Sequence, residues 1–140
     1  MALRYGFLPS DFNPMLLFLG EPDDLRELAA ALERFSGEPS EAELAALLPR
    51  AEAPAGERVA VVPAGDRPGL RRAGAAGFEW RLDPGRAAEY AAAVEELAAP
   101  GRRAGNAMLG PDAAGEREGI PVKVSLGEYL DEVLEPRTTT

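Results

Sequence analysis

Three short segments of this chain alternate apolar and polar side chains with a period of two. They are Leu3, Tyr5 and Phe7 around Arg4 and Gly6; Phe78, Trp80 and Leu82 around Glu79 and Arg81; and Val122, Val124 and Leu126 around Lys123 and Ser125. Successive side chains of a strand point to opposite faces, so each segment predicts a strand with one buried face. Sheets buried on both faces read instead as continuous apolar runs, so the alternation favours antiparallel pairing with one face open. Met15 to Leu19 is the exception, five apolar residues in a row, and it reads as a strand covered on both sides. Pro9-Ser10-Asp11 and Asn13-Pro14 supply turn chemistry before it, which makes the first two strands a hairpin.

Two stretches change to helical period. Gly20-Glu21-Pro22-Asp23-Asp24 opens the first, with proline in the first turn and acids at the positive end of the helix dipole. Leu25, Leu28, Leu32 and Phe35 form its stripe, and Gly37 ends it. Asp83-Pro84 opens the second, whose stripe is Ala87, Tyr90, Ala91, Val94, Leu97 and Ala98 before Pro100-Gly101. Between these helices, Ser40 and Glu43 have the spacing of a capping box before Leu44, Leu47 and Leu48. That predicts a short helix ending at Pro49, with an edge segment as the alternative. Val59 to Val62 and Leu70 to Ala73 are short strands, the second followed by a hairpin turn at Gly74 to Gly77. Residues 102–119 are Gly-rich, with Met108 and Leu109 as anchors. Tyr129, Val133 and Leu134 fit a last helical turn. No internal repeat is evident.

The element order, clustered strands with interspersed helices, predicts an α+β fold. The expected form is a two-layer sandwich: one mostly antiparallel sheet of five or six strands with two long helices on one face. Residues 1–135 are read as a single domain and 136–140 as a frayed tail. Of the 64 hydrophobic residues, 26 are Ala, which leaves 38 larger ones, enough for one core.

The chain contains no Cys and no His. That removes thiol nucleophiles, disulfides, His-based triads and the usual zinc and haem ligands, so no metal and no cofactor is expected. The serines at 10, 36, 40 and 125 lie in no nucleophile elbow. Asp23-Asp24 and Glu95-Glu96 are neighbours on helices and diverge by about 100°, so neither pair converges on a substrate. The acids in Asp112 to Glu118 do not have EF-hand spacing. Gly65, Gly69, Gly74 and Gly77 near Arg67, Arg71 and Arg72 match no phosphate-loop pattern. No stretch is long and apolar enough to span a bilayer, and the N-terminus has no signal-peptide pattern, so a cytoplasmic protein without a membrane partner is expected.

Net charge is −9, distributed unevenly: residues 21–57 sum to −7, residues 58–110 to +2 and residues 111–140 to −4. Such a field repels nucleic acid and suits a basic protein partner. The function expected from these exclusions is a small acidic, non-enzymatic bacterial protein that binds another protein. An immunity or inhibitor protein covering a basic site on a toxin is one form of it. An assembly domain, or a small-ligand or carboxylate-based enzyme, is the alternative, and a homodimer is compatible with all three. Candidate partner-binding residues are Asp23, Asp24, Glu27 and Glu33 on the first helix, and Glu38, Glu41 and Glu43 after it. Glu79 and Arg81 on the cleanest strand, and Glu128, Asp131 and Glu132 near the C-terminus, complete the set.

Overall fold

The computed structural model describes residues 2–9, 14–65, 68–74, 77–110, 119–127 and 134. Among these residues eight strands and three helices follow the order β1 (Arg4–Leu8), β2 (Met15–Leu19), α1 (Pro22–Gly37), β3 (Ala42–Glu43), α2 (Leu44–Leu47), β4 (Arg58–Pro63), β5 (Gly69–Arg72), β6 (Gly77–Leu82), α3 (Pro84–Leu97), β7 (Gly105–Met108) and β8 (Val122–Leu126). The fold is α+β, but the strands do not share one sheet. They form two sheets of four, ordered β1-β2-β8-β7 and β3-β4-β6-β5. Each is antiparallel at both sides and parallel in the middle, where β2 runs alongside β8 and β4 alongside β6. The expected single sheet fails because periodicity reports which face of a strand is buried and says nothing about which strand lies beside it.

The two sheets are equivalent under an internal two-fold relation. With the single turn α2 between β3 and β4 set aside, the described elements divide into two ββαββ units, β1-β2-α1-β3-β4 and β5-β6-α3-β7-β8, and each sheet takes one strand pair from each unit. The registers correspond residue by residue. Tyr5 pairs with Phe18 as Leu70 pairs with Trp80. Phe18 then faces Val124 as Trp80 faces Val61, and Ala42 lies opposite Val61 as Ala107 lies opposite Val124. In the helices Glu21-Pro22 matches Asp83-Pro84, each pair an N-cap followed by proline. Mates that touch one another mark the axis. Phe18 and Trp80 have ring centroids 6.2 Å apart, the Arg72 guanidinium lies 4.7 Å over the Phe7 ring, and α1 packs on α3.

One hydrophobic cluster joins the inner faces of both sheets to both long helices. Leu25, Leu28, Leu32 and Phe35 of α1 are buried, with Ala87, Ala91, Val94 and Leu97 of α3. Their spacing is the helical stripe read from the sequence. Tyr90 departs from it: half-buried, it lines a cleft beside Trp80 and Leu109. A second cluster lies on the outer face of the first sheet, where Leu134 covers Leu17 and Leu19. This explains why β2 is apolar at every position. Tyr129 and Val133 lie outside the described residues.

Other local expectations are refined. Residues 42–47 combine both readings, a two-residue strand running into one helical turn. Ser40 caps nothing there, since the N-cap is Glu43. The strand β7 was not legible, because Gly-Asn-Ala-Met lacks β-branched and aromatic residues.

Candidate functional site

Residues directly opposite each other in a ladder project to the same face. On the outer side of the second sheet this rule aligns Glu43, Ala60, Glu79 and Arg71 in one row across all four strands. Val62 and Arg81 form the next row, and Arg58 with Gly77 the one before. The inner side carries Val59, Val61, Leu70, Phe78, Trp80 and Leu82, all buried in the core. The strict alternation of β6 thus reflects one apolar and one open face, as the sequence predicts.

The open face is a lattice of both signs. The Arg58 guanidinium lies 3.4 Å from Glu43, and Arg81 Nε donates to Glu79 at 2.5 Å. A shallow groove of 330 Å³ runs over Ala60 between Glu43, Arg58, Glu79 and the start of β6 at Gly77-Phe78. The floor is rigid. Gly77 is seated so tightly that an added Cβ would stand 2.5 Å from the Ala73 carbonyl oxygen. Arg72 stacks on Phe7 and Phe78 at the end of the sheet.

Beside this face Glu57 links the two sheets. Its Oε2 accepts the Phe7 N–H at 2.8 Å, and its Oε1 is buried with no hydrogen-bond partner among the described residues. Tyr5 is buried nearby. That burial first, and then the Glu57 and Glu43 carboxylates, raise its hydroxyl above the ordinary tyrosine pKa.

The sequence-derived candidates separate into groups. Glu43, Glu79 and Arg81 come together on the open face. Asp24 is a correction: it is 6% exposed, and its Oδ2 accepts the Glu21 N–H at 2.9 Å, so it caps α1 and cannot meet a partner. The two acids at 23 and 24 look alike in sequence, yet only Asp23 faces solvent, where it pairs with Arg26 at 2.5 Å. Glu27 is half-buried and paired with Arg50. Glu33, Glu38 and Glu41 are exposed, and α1 separates Asp23 from Glu38 by roughly 22 Å at 1.5 Å per residue, which puts those two acids at opposite ends of the helix. Glu128, Asp131 and Glu132 lie outside the described residues.

The polar side chains that alternate with apolar ones on these strands also divide. Glu79 and Arg81 are on the second sheet, whereas Arg4, Lys123 and Ser125 are on the first. Ser125 is not outward in the solvent sense: it is 0% exposed, opposite Leu19 on the covered face. Sequence reasoning missed Arg58 and Arg71, which complete the charged lattice. Their signal was the strand itself, since Arg58 has the outward parity of Ala60 and Val62.

No helix among the described residues is long and apolar enough to cross a membrane. Comparison with protein-family models, with curated proteins and with solved structures finds no match.

Proposed function

We propose that the protein acts by binding another protein and that the outer face of β3-β4-β6-β5 is the recognition surface. The observation that carries this reading is the divergence of two equivalent faces. Leu17 and Leu19 on the first sheet are the mates of Glu79 and Arg81 on the second. The apolar pair is sealed under Leu134, while the charged pair stays open. The covered face forms a small cluster of its own, apart from the main core. The other is available for polar side chains on a strand floor that loses little freedom on binding, which keeps the ordering cost of association low.

Charges of both signs in fixed positions select a partner by register more than by net attraction. Glu43 and Glu79 fit cations of the partner, and Arg58, Arg71 and Arg81 fit its carboxylates. The face itself carries three arginines to two glutamates, so the −9 of the whole chain acts on the approach of a basic partner and not at the contact; an immunity or inhibitor protein that covers a site on a toxin is the form we favour. The double variant Glu79→Arg/Arg81→Glu inverts the lattice while keeping its internal pair. Binding to the native partner, isolated by affinity capture and then measured with purified components, should weaken at least tenfold. The variant Asp23→Lys/Glu33→Lys should leave the dissociation rate unchanged. Loss of binding in the helix variant alone would place the surface on α1 and overturn the assignment.

A further inference from the structure

Position 72 departs from its two-fold mate as Glu79 departs from Leu17. In the first unit the mate is Phe7, whose ring packs on Phe78 with centroids 5.1 Å apart. In the second unit it is Arg72, the last residue of β5, opposite Phe78 in the ladder. The mates meet: the Arg72 guanidinium lies 4.7 Å over the Phe7 ring and 5.5 Å over that of Phe78. A cation is thus held at the ends of the two sheets against one ring of each.

These contacts use the charge of the guanidinium and none of its hydrogen-bond donors. A phenyl ring offers no lone pair, so stacking fixes the group without engaging its five N–H donors. Arg58 and Arg81 on the same sheet are matched instead to Glu43 and Glu79. Arg72 is exposed, and no carboxylate among the described residues pairs with it. Ala73 and Phe78, its chain and ladder neighbours, line one end of the groove over Ala60. A partner seated in that groove has Arg72 beside it.

We propose that Arg72 binds a carboxylate of the protein partner through two parallel N–H donors, an inference that rests on reading the outer face of the second sheet as the recognition surface. The charge there favours an anion. The four strands carry four arginines and two glutamates, in a chain whose net charge is −9. An acidic side chain is the anion a protein presents, and its planar carboxylate matches the guanidinium fork. The rings hold the side chain in place before the partner arrives, so less rotamer freedom is lost on binding. They also keep water from one side of the pair, the setting in which an interface arginine contributes most.

Acetate is the first probe. Replacing chloride by about 0.5 M acetate at constant ionic strength should shift the Arg72 Nε–H resonance of the labelled full chain further than those of Arg58 and Arg81, which already face carboxylates. An Arg72 shift no larger than theirs would overturn the proposal. The partner obtained by affinity capture gives the second arm. Arg72→Lys keeps the charge and loses the fork, and Arg72→Gln loses the charge. Both should weaken binding at least tenfold, with the far-UV spectrum of Arg72→Lys unchanged. When each Asp and Glu of the partner is replaced by its amide, one replacement should couple to Arg72→Lys at least tenfold and the others should combine additively. Full binding by Arg72→Lys, or coupling to no partner carboxylate, would overturn the proposal. If both Arg72 variants bind like the parent while Glu79→Arg/Arg81→Glu does not, Arg72 is excluded and the reading of the face stands. If Glu79→Arg/Arg81→Glu also binds like the parent, the reading of the face falls, and this inference with it.

Discussion

Replacing Phe18 with alanine probes the place where the two units meet. Phe18 is 0% exposed, with ring centroids 5.5 Å from Tyr5 of its own hairpin and 6.2 Å from Trp80, its mate across the axis. Truncating a buried Phe costs roughly 3–5 kcal/mol, and each lost aromatic pair contributes about 0.5–1.5 kcal/mol of that. At about 2.1 cal/mol/K per residue, a chain of 140 residues has an unfolding entropy near 0.3 kcal/mol/K, so a loss of ~4 kcal/mol lowers Tm by roughly 14 °C. Urea unfolding followed by far-UV circular dichroism and by Trp80 fluorescence reads the loss twice. Trp80 is the only tryptophan, so its emission reports the axis itself. Phe18→Leu keeps most of the volume and should cost less than half as much. A loss below 1 kcal/mol for Phe18→Ala would mean that Phe18 is not packed between Tyr5 and Trp80, and the proposed junction would fall with it.

Asp24→Ala removes the acceptor of the Glu21 N–H and should cost about 0.5–2 kcal/mol, whereas Asp23→Ala should stay within about 0.5 kcal/mol in the same melts. Gly77→Ala forces a Cβ against the Ala73 carbonyl and should destabilise by about 1–3 kcal/mol, more than Gly37→Ala, where nothing stands within 4 Å. Tyr5 has a pKa raised by burial and by Glu57, so the folded state holds the neutral phenol longer than the unfolded chain does. Its contribution is therefore complete below the unfolded value of about 10 and is lost as pH rises toward the folded value. Ultraviolet titration should show Tyr5 ionising above the ordinary tyrosine range, and Glu57→Gln should bring it earlier; no change in that variant would remove Glu57 as a cause.

The sequence was most informative where a stripe or an alternation ran for several residues. The limits of α1 and α3, the parity of β6 and the burial of Trp80 all follow from spacing. Pairing partners did not, because β2 lies beside a strand more than 100 residues away, and no local pattern encodes such a neighbour. The sequence reads as having no internal repeat, and the pairing of the strands corrects that; only one stretch carries a trace of it. Glu27-Leu28-Ala29-Ala30-Ala31-Leu32-Glu33 and Glu89-Tyr90-Ala91-Ala92-Ala93-Val94-Glu95 agree at five of seven positions in equivalent turns of the two helices. Alanine is so frequent in this chain that the agreement reads as composition until the ladder registers align it. The strands have diverged further, since a core position needs only an apolar residue of suitable size, while the outer faces took opposite characters. Leu17 against Glu79 is that divergence in a single pair. Asp24 and Ser125 show the other limit: an acid or a hydroxyl in a polar context looks exposed until the segment covering it is known.

The two-unit architecture underlies the comparison of the covered and the open sheet faces. Its most direct test is a set of interstrand nuclear Overhauser contacts in the isotope-labelled chain. Parallel pairing of β2 with β8 and of β4 with β6 predicts amide-to-α-proton contacts that link Phe18 with its neighbours at Val124, and Trp80 with those at Val61. The same contacts should be absent between β1 and β5, which belong to different sheets. Observation of both parallel sets would establish the exchanged-hairpin duplication. Contacts that instead join β1, β2, β5 and β6 into one antiparallel sheet would contradict it.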